Sequence, residues 1–177
     1  MINKIGKTIL TMFGIGYFKY APGTVASFIT CLIFYSLASI DGINQIIFPY
    51  IIFLIIIFIY STILIDKIYK KEDSKEIVID EFIGQSIPLL AISTSNELNI
   101  KLVVFLNNVS SQLDIYWFEI WILISFILFR FFDILKPFPI SYIDINTKGA
   151  LGIMLDDIVA GIFTIIILAI SFFFIGG

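Results

Sequence analysis

Residues 149–161 read GALGIMLDDIVAG, and the apolar run that continues from Ile158 to Ile175 carries no charge. Two adjacent carboxylates, Asp156 and Asp157, therefore stand among small residues at the lip of a hydrophobic helix. Acids there cost free energy unless something pairs with them, so they mark a functional site by default. Clustered carboxylates pair well with a hard divalent cation, which takes oxygen ligands. A plainer explanation is close helix packing: Gly149, Gly152, Asp156 and Ala160 recur at steps of three or four, and small residues let helices approach. That explains the glycines. It leaves the second acid unexplained, because adjacent carboxylates repel unless a cation neutralises them.

Outward from this stretch the chain stays apolar. Hydrophobic residues make up 59% of its 177 positions and charged ones 14%, with a mean hydropathy of +1.04. A soluble domain carries about 25% charge. The chain reads as an all-α integral membrane protein, and its length suits one unit over residues 1–177. Net charge is −3 and the basic residues form only short clusters, so nucleic acid is not an expected partner. There is no histidine, which removes imidazole acid–base catalysis, phosphohistidine intermediates and His-ligated metals. The one cysteine, Cys31, cannot form an internal disulfide. The short apolar stretch near Lys4 and Lys7 does not suit a secretory signal. Nothing in the sequence specifies an oligomeric state.

Taken in order, residues 1–19 are mildly amphipathic and basic, suiting either a membrane-surface segment or a frayed cytoplasmic end. Tyr20 to Ser27 (YAPGTVAS) holds a Pro-Gly turn, with Thr24 placed to cap a first span over about 25–40. Asp41-Gly42 is a turn, and a second span covers about 46–65, near the ~20 residues a bilayer needs. The stretch 66–76 (DKIYKKEDSKE) carries four lysines. It suits a cytoplasmic loop under the positive-inside rule better than a lipid-binding element. Asp80 and Glu81 lead into apolar residues 82–92, a polar break at 93–99 and apolar 102–106, read as a short or tilted third crossing. A polar loop follows at 107–114. Tyr116 and Trp117 suit an interfacial belt before a span from 117 to 129 and beyond. Pro137 and Pro139 stop that helix, residues 141–148 form a polar connection, and the last span covers 158–175. Basic residues alternate in a way that fits five crossings. The expected fold is a polytopic helical bundle of four to five crossing helices plus an N-terminal interfacial segment. It brings the polar clusters at 20–27, 80–85, 130–137 and 149–161 to the cytoplasmic face.

These clusters carry chemistry. Arg130, Asp133 and Lys136 lie three apart, on one side of a helix. Arg130 offers a fork of donors that matches phosphate oxygens, and Lys136 offers a point charge. A self-neutralising surface triplet is an equally good reading of those three alone. Asp80 and Glu81 suit the positive end of a helix dipole and equally suit a cation or a general base. Gln85 lies one turn from Glu81, and Gly84 permits close approach of another helix. Gly23 and Thr24 precede a helix whose free N–H groups suit phosphate, although a plain turn is the commoner meaning of Pro-Gly. Together the site offers five acids (Asp80, Glu81, Asp133, Asp156, Asp157) and two cations. Such a set suits Mg2+-assisted phosphoryl chemistry, with a carboxylate activating water. The expected metal ligands are Glu81, Asp133, Asp156 and Asp157. The expected phosphate contacts are Arg130, Lys136, Gly23 and Thr24. A membrane face implies a lipid with a phosphate headgroup. The competing class is a transporter or cation pathway, which needs acids in mid-span. Here they sit at span ends.

APGTVAS at 21–27, DEFIGQ at 80–85, FRFFDILKPFPI at 129–140 and GALGIMLDDIVAGIF at 149–163 together resemble the phosphatidylglycerophosphatase A family, from about Phe18 to Ile165. The resemblance implies a Mg2+-dependent phosphatase of the bacterial inner membrane. The implied reaction removes the terminal phosphate of phosphatidylglycerophosphate and leaves phosphatidylglycerol, a step of phospholipid biosynthesis. Asp80, Glu81, Arg130, Asp133, Lys136, Asp156 and Asp157 occupy motif positions of that family. Gln85 departs from the apolar residue expected after DEFIG, and residues 93–114 are longer than the usual connection. Both departures leave the acids intact. Some relatives of this fold are soluble, a branch that the hydropathy argues against. Phosphatases built on His, on a Cys loop or on Asp-x-Asp lack their signatures here.

Overall fold

The computed structural model describes residues 2–38, 43–69, 74–94 and 117–175. Among these residues every regular element is helical. The helices are α1 (Ile2–Leu10), α2 (Pro22–Ala38), α3 (Ile43–Ile68), α4 (Ile79–Thr94), α5 (Trp117–Leu135), α6 (Ile140–Asn146) and α7 (Ala150–Ile175), with a 3-10 turn at Ile15–Tyr17. The Asp41-Gly42 turn, most of the polar break at 93–99, the apolar stretch 102–106 and the loop at 107–114 lie outside the described residues. So do Tyr116 and the middle of the lysine-rich loop.

Two segments are long and apolar enough to cross a membrane, Ile47–Ile68 in α3 and Ala150–Ser171 in α7. This is fewer than the four to five expected, for reasons of length and charge. At 1.5 Å per residue, α2 and α4 reach only about 26 and 24 Å, short of a ~30 Å hydrocarbon core. Helix α5 is longer but carries Glu119, Arg130 and Asp133. Only 22% of the α3 segment is buried within the protein. Phe48, Ile52, Phe53, Ile56, Ile59 and Ile63 all face outward. An apolar surface that broad calls for lipid as its solvent.

Three boundaries differ from the sequence expectation. Helix α2 begins at Pro22, whose fixed φ suits a first helical position, so Thr24 lies inside the helix and does not cap it. Helix α7 begins at Ala150, not Ile158, which puts Asp156 and Asp157 in its second and third turns. The connection after Pro139 is itself a helix, α6. The stop at the prolines holds, since α5 ends at Leu135. The N-terminal segment is a packed element. Leu10 and Thr11 are fully buried, Leu10 accepts a 3.0 Å bond from Val78 N–H, and Lys7 pairs with Glu76 at 3.6 Å.

Helix α7 packs most extensively on α4, and glycines set that crossing. A Cβ on Gly161 would lie 2.5 Å from the Gly84 carbonyl oxygen, and one on Gly84 would lie 2.6 Å from the Asp157 carbonyl oxygen. Pro88 has no N–H to give the Gly84 carbonyl four residues earlier, so this oxygen faces Gly161 without its usual helical partner. Buried polar pairs tie α4 to its other neighbours. Tyr50 on α3 shares a 2.8 Å hydrogen bond with Ser86, and Gln85 donates to Ser125 on α5 at 3.1 Å. The polar Gln85 is thus accommodated by a hydroxyl across the α4–α5 interface.

Candidate active site

The α4–α7 crossing sits one turn from Asp80 and Glu81 on one side and one turn from Asp157 on the other. Asp80 and Glu81 occupy the first turn of α4, as their sequence position implies. The close backbone approach at Gly84 brings Asp157 to them. Carboxylate oxygens of Asp80, Glu81 and Asp157 all lie within 4.8 Å of one another. Asp80 is 9% exposed and Asp157 3%. Three carboxylates this close and this buried repel strongly, and they present the oxygen ligands that a hard divalent cation takes.

The trio lies in a cavity of about 600 Å³, whose lining also includes Gly23, Arg130, Asp133, Lys136, Asp144 and Asp156. Arg130 reaches in from the last turns of α5. Its Nη1 lies 2.5 Å from Asp133 Oδ2 and 3.9 Å from Glu81 Oε1. These are ion pairs by distance. Neither Nη1 nor Nε makes a directed hydrogen bond, and both are buried. Lys136 does not continue the helical face of Arg130 and Asp133, as the three-residue spacing had suggested. It is the residue that ends α5, with φ +43 and its N–H on the Phe132 carbonyl at 2.9 Å. From there its ammonium reaches Asp156 Oδ2 at 2.5 Å and Asp144 Oδ1 at 2.8 Å. Burial alone would lower the Lys136 pKa, but the hydrogen bonds to Asp144 and Asp156 outweigh it and raise it above the ordinary 10.5. Lys136 therefore stays cationic throughout the neutral and mildly alkaline range.

All five acids and both cations expected from the sequence line this one cavity. Their partners sort them differently. Asp80 joins Glu81 and Asp157, whereas Asp133 and Asp156 are held in ion pairs. Gly23 lines the cavity and Thr24 does not. Asp144 was missed: it lies on the seven-residue α6, too short for any apolar period to betray it. Lys75 and Lys148 also line the cavity, and neither stands out within its polar loop. Two carboxylate oxygens, Glu81 Oε2 and Asp156 Oδ1, are buried without a hydrogen-bond partner. They are acceptors available to a water or to an ion.

Gly23 is needed for space. A Cβ there would overlap the Glu81 carboxylate and lie 3.2 Å from Arg130 Nη1. Gly23→Ala should therefore displace Glu81 from the trio at small cost to the fold, since the clashing atoms end flexible side chains. We expect turnover to fall about 100-fold, the scale of a 1 Å misplacement, with an unchanged melting temperature in detergent. Full activity would show that Glu81 need not stand where it does.

The profile of the family described as Phosphatidylglycerophosphatase A matches residues 8–172. A Haemophilus influenzae protein named Phosphatidylglycerophosphatase A is 35% identical over 158 residues, 88% of this chain and 81% of its own length. An Escherichia coli protein of the same name is 38% identical over 90 residues, 51% of this chain and 40% of its own. A Bacteroides thetaiotaomicron protein provisionally named a phosphatidylinositol-3-phosphatase is 28% identical over 169 residues, 94% of this chain and 92% of its own. No solved structure gives a significant match. With a profile match over nearly its whole length, carried through all four polar clusters, the chain belongs to the phosphatidylglycerophosphatase A family.

Proposed function

We propose that this protein is a lipid phosphatase that hydrolyses the terminal phosphomonoester of phosphatidylglycerophosphate to give phosphatidylglycerol in phospholipid biosynthesis. The observation that carries the proposal is the Asp80–Glu81–Asp157 trio beside Arg130 in one cavity, in a chain of this family. The trio fits Mg2+: three oxygen donors, a net negative charge, and a Glu81 oxygen with no other partner. Asp80, Glu81 and Asp157 would hold the ion, which when bound supplies charge neutralisation and orientation to the phosphate. Asp133 and Asp156, also expected as ligands, border the same space while holding Arg130 and Lys136 in place.

The residues of the chain do the rest. The Arg130 guanidinium donates to phosphate oxygens, and Lys136 adds a second fixed positive charge. Hydrogen-bond donors already aimed at the site stabilise charge that builds on the phosphoryl group without reorganising. Asp156 Oδ1 is the acceptor left available for a proton from an attacking water. Gly23 keeps the wall thin enough for the headgroup to approach.

In this proposal the chain acts as one unit in the bacterial inner membrane, with the cavity at the cytoplasmic face. The alternation of basic residues supports four to five crossings, of which the α3 and α7 segments are long and apolar enough to cross by themselves. The exposed apolar faces of α3 and α7 support a membrane setting. A cation pathway is less well supported even though Asp156 and Asp157 lie within the α7 segment. Arg130 and Lys136 already pair with its acids and would oppose a passing cation. Phosphate release from phosphatidylglycerophosphate by the purified protein tests the proposal, with phosphatidylinositol 3-phosphate as the competing substrate.

A further inference from the structure

The cavity holds two cations that the phosphate chemistry above does not use. Arg130 is engaged by Asp133 and Glu81, and Lys136 by Asp156 and Asp144. Lys75 and Lys148 also line the cavity, yet neither has an ion-pair partner among the described residues. Among the described residues, the acids next to them in sequence or in the cavity are committed elsewhere. Glu76 accepts a 2.7 Å hydrogen bond from the Tyr69 hydroxyl and pairs with Lys7. Asp144 is taken by Lys136.

Both lysines stand on fixed backbone. Lys75 lies in a turn closed by Ile77 N–H on the Ser74 carbonyl at 2.8 Å, followed by Val78 N–H on Leu10. Gly16 packs directly against the carbonyl of Glu76, leaving no room there for a Cβ. Lys148 precedes Gly149, whose φ of +81 turns the chain into α7. Gly152 lets the Thr147 carbonyl pack onto the first turn of that helix. Both lysines are exposed, whereas Asp80 and Asp157 are buried. The cavity thus has an acid-rich floor beside Arg130 and a basic rim that no acid among the described residues pairs.

We propose that Lys75 and Lys148 form a second phosphate subsite at the cavity mouth, which takes the phosphodiester of a lipid whose terminal phosphomonoester lies beside Arg130. The inference rests on the function proposed above and assigns it a specificity. Phosphatidylglycerophosphate carries two phosphates separated by a glycerol. Phosphatidate carries only the monoester, attached directly to its diacylglycerol. A cationic rim set apart from the floor favours the two-phosphate headgroup over the single one.

The test compares wild type with Lys75→Gln/Lys148→Gln in mixed micelles. For phosphatidylglycerophosphate, KM should rise about tenfold, the scale of one charge-assisted hydrogen bond, with kcat little changed. For phosphatidate of the same acyl chains, KM should move less than about twofold. The Lys75→Arg/Lys148→Arg variant should restore the wild-type KM. An unchanged KM for phosphatidylglycerophosphate, or an equal rise for both lipids, would overturn the subsite. A wild type inactive on both lipids would instead count against the proposed function. A binding measurement then decides the subsite by itself. Phosphatidylglycerol keeps the phosphodiester and lacks the monoester, so by native mass spectrometry the Gln variant should retain several-fold less of it. Equal retention would overturn the inference.

Discussion

Asp157→Asn is expected to cut phosphate release on the order of 10³-fold while leaving the protein folded. The change is isosteric and removes one charge from a buried site. Asp157 is 3% exposed and faces Asp80, Glu81 and Asp133. With no cation bound, those carboxylates repel one another, so the neutral variant should melt no lower than wild type in chelator. With Mg2+ the order should reverse. A cation that binds only the folded state stabilises it by mass action, and the variant has lost one of three oxygen ligands. Melting curves in chelator and in Mg2+, read beside turnover, separate the two effects. Full activity in the variant would remove Asp157 from the site. A lower melting temperature in chelator would make it a structural residue.

Gly84→Val is expected to be the most damaging single change outside the cavity. A Cβ at Gly84 would meet the Asp157 carbonyl oxygen at 2.6 Å and the ring of Phe129 at 2.8 Å. The first is helix backbone and the second is a fully buried side chain, so neither yields cheaply. Overpacking of this kind costs about 1–3 kcal/mol and occasionally more, and valine adds two methyl groups beyond the Cβ. Helices α4 and α7 would have to separate, drawing Asp157 from Asp80 and Glu81, so turnover should fall with stability. Gly6→Ala is the internal comparison. Its Cβ would meet only the ends of the Ile68 and Leu64 side chains, which can rotate, so its cost should stay below about 1 kcal/mol. Equal thermal stability of Gly84→Val and wild type would show that the glycine crossing does not set the spacing of the acids.

The helical class and the polar clusters were legible because apolar runs broken by charge leave few alternatives. Asp80 and Glu81 at the start of α4, and the stop before Pro137, followed from local rules. What local rules missed depended on distant partners. The last span read as 158–175, yet α7 starts at Ala150, where Gly152 leaves room for the Thr147 carbonyl against its first turn. Lys136 read as the third member of a helical triplet, yet it turns out of the helix and binds Asp144 and Asp156, 8 and 20 residues away. Pro49 and Pro88 lie inside the second and third apolar runs, and α3 and α4 run through them. The choice of Asp80 over Asp133 or Asp156 as third member of the carboxylate trio needed the α4–α7 crossing. No one-dimensional spacing encodes it.

The most direct measurement is release of inorganic phosphate from phosphatidylglycerophosphate by the purified protein in detergent, with Mg2+, then with excess chelator, then with Mg2+ restored. Release that stops with chelator and returns with Mg2+ is the expected result. It would tie the cation and the lipid headgroup to one reaction. Release undiminished in chelator would contradict the cation. No release from a protein shown to be folded would contradict the substrate.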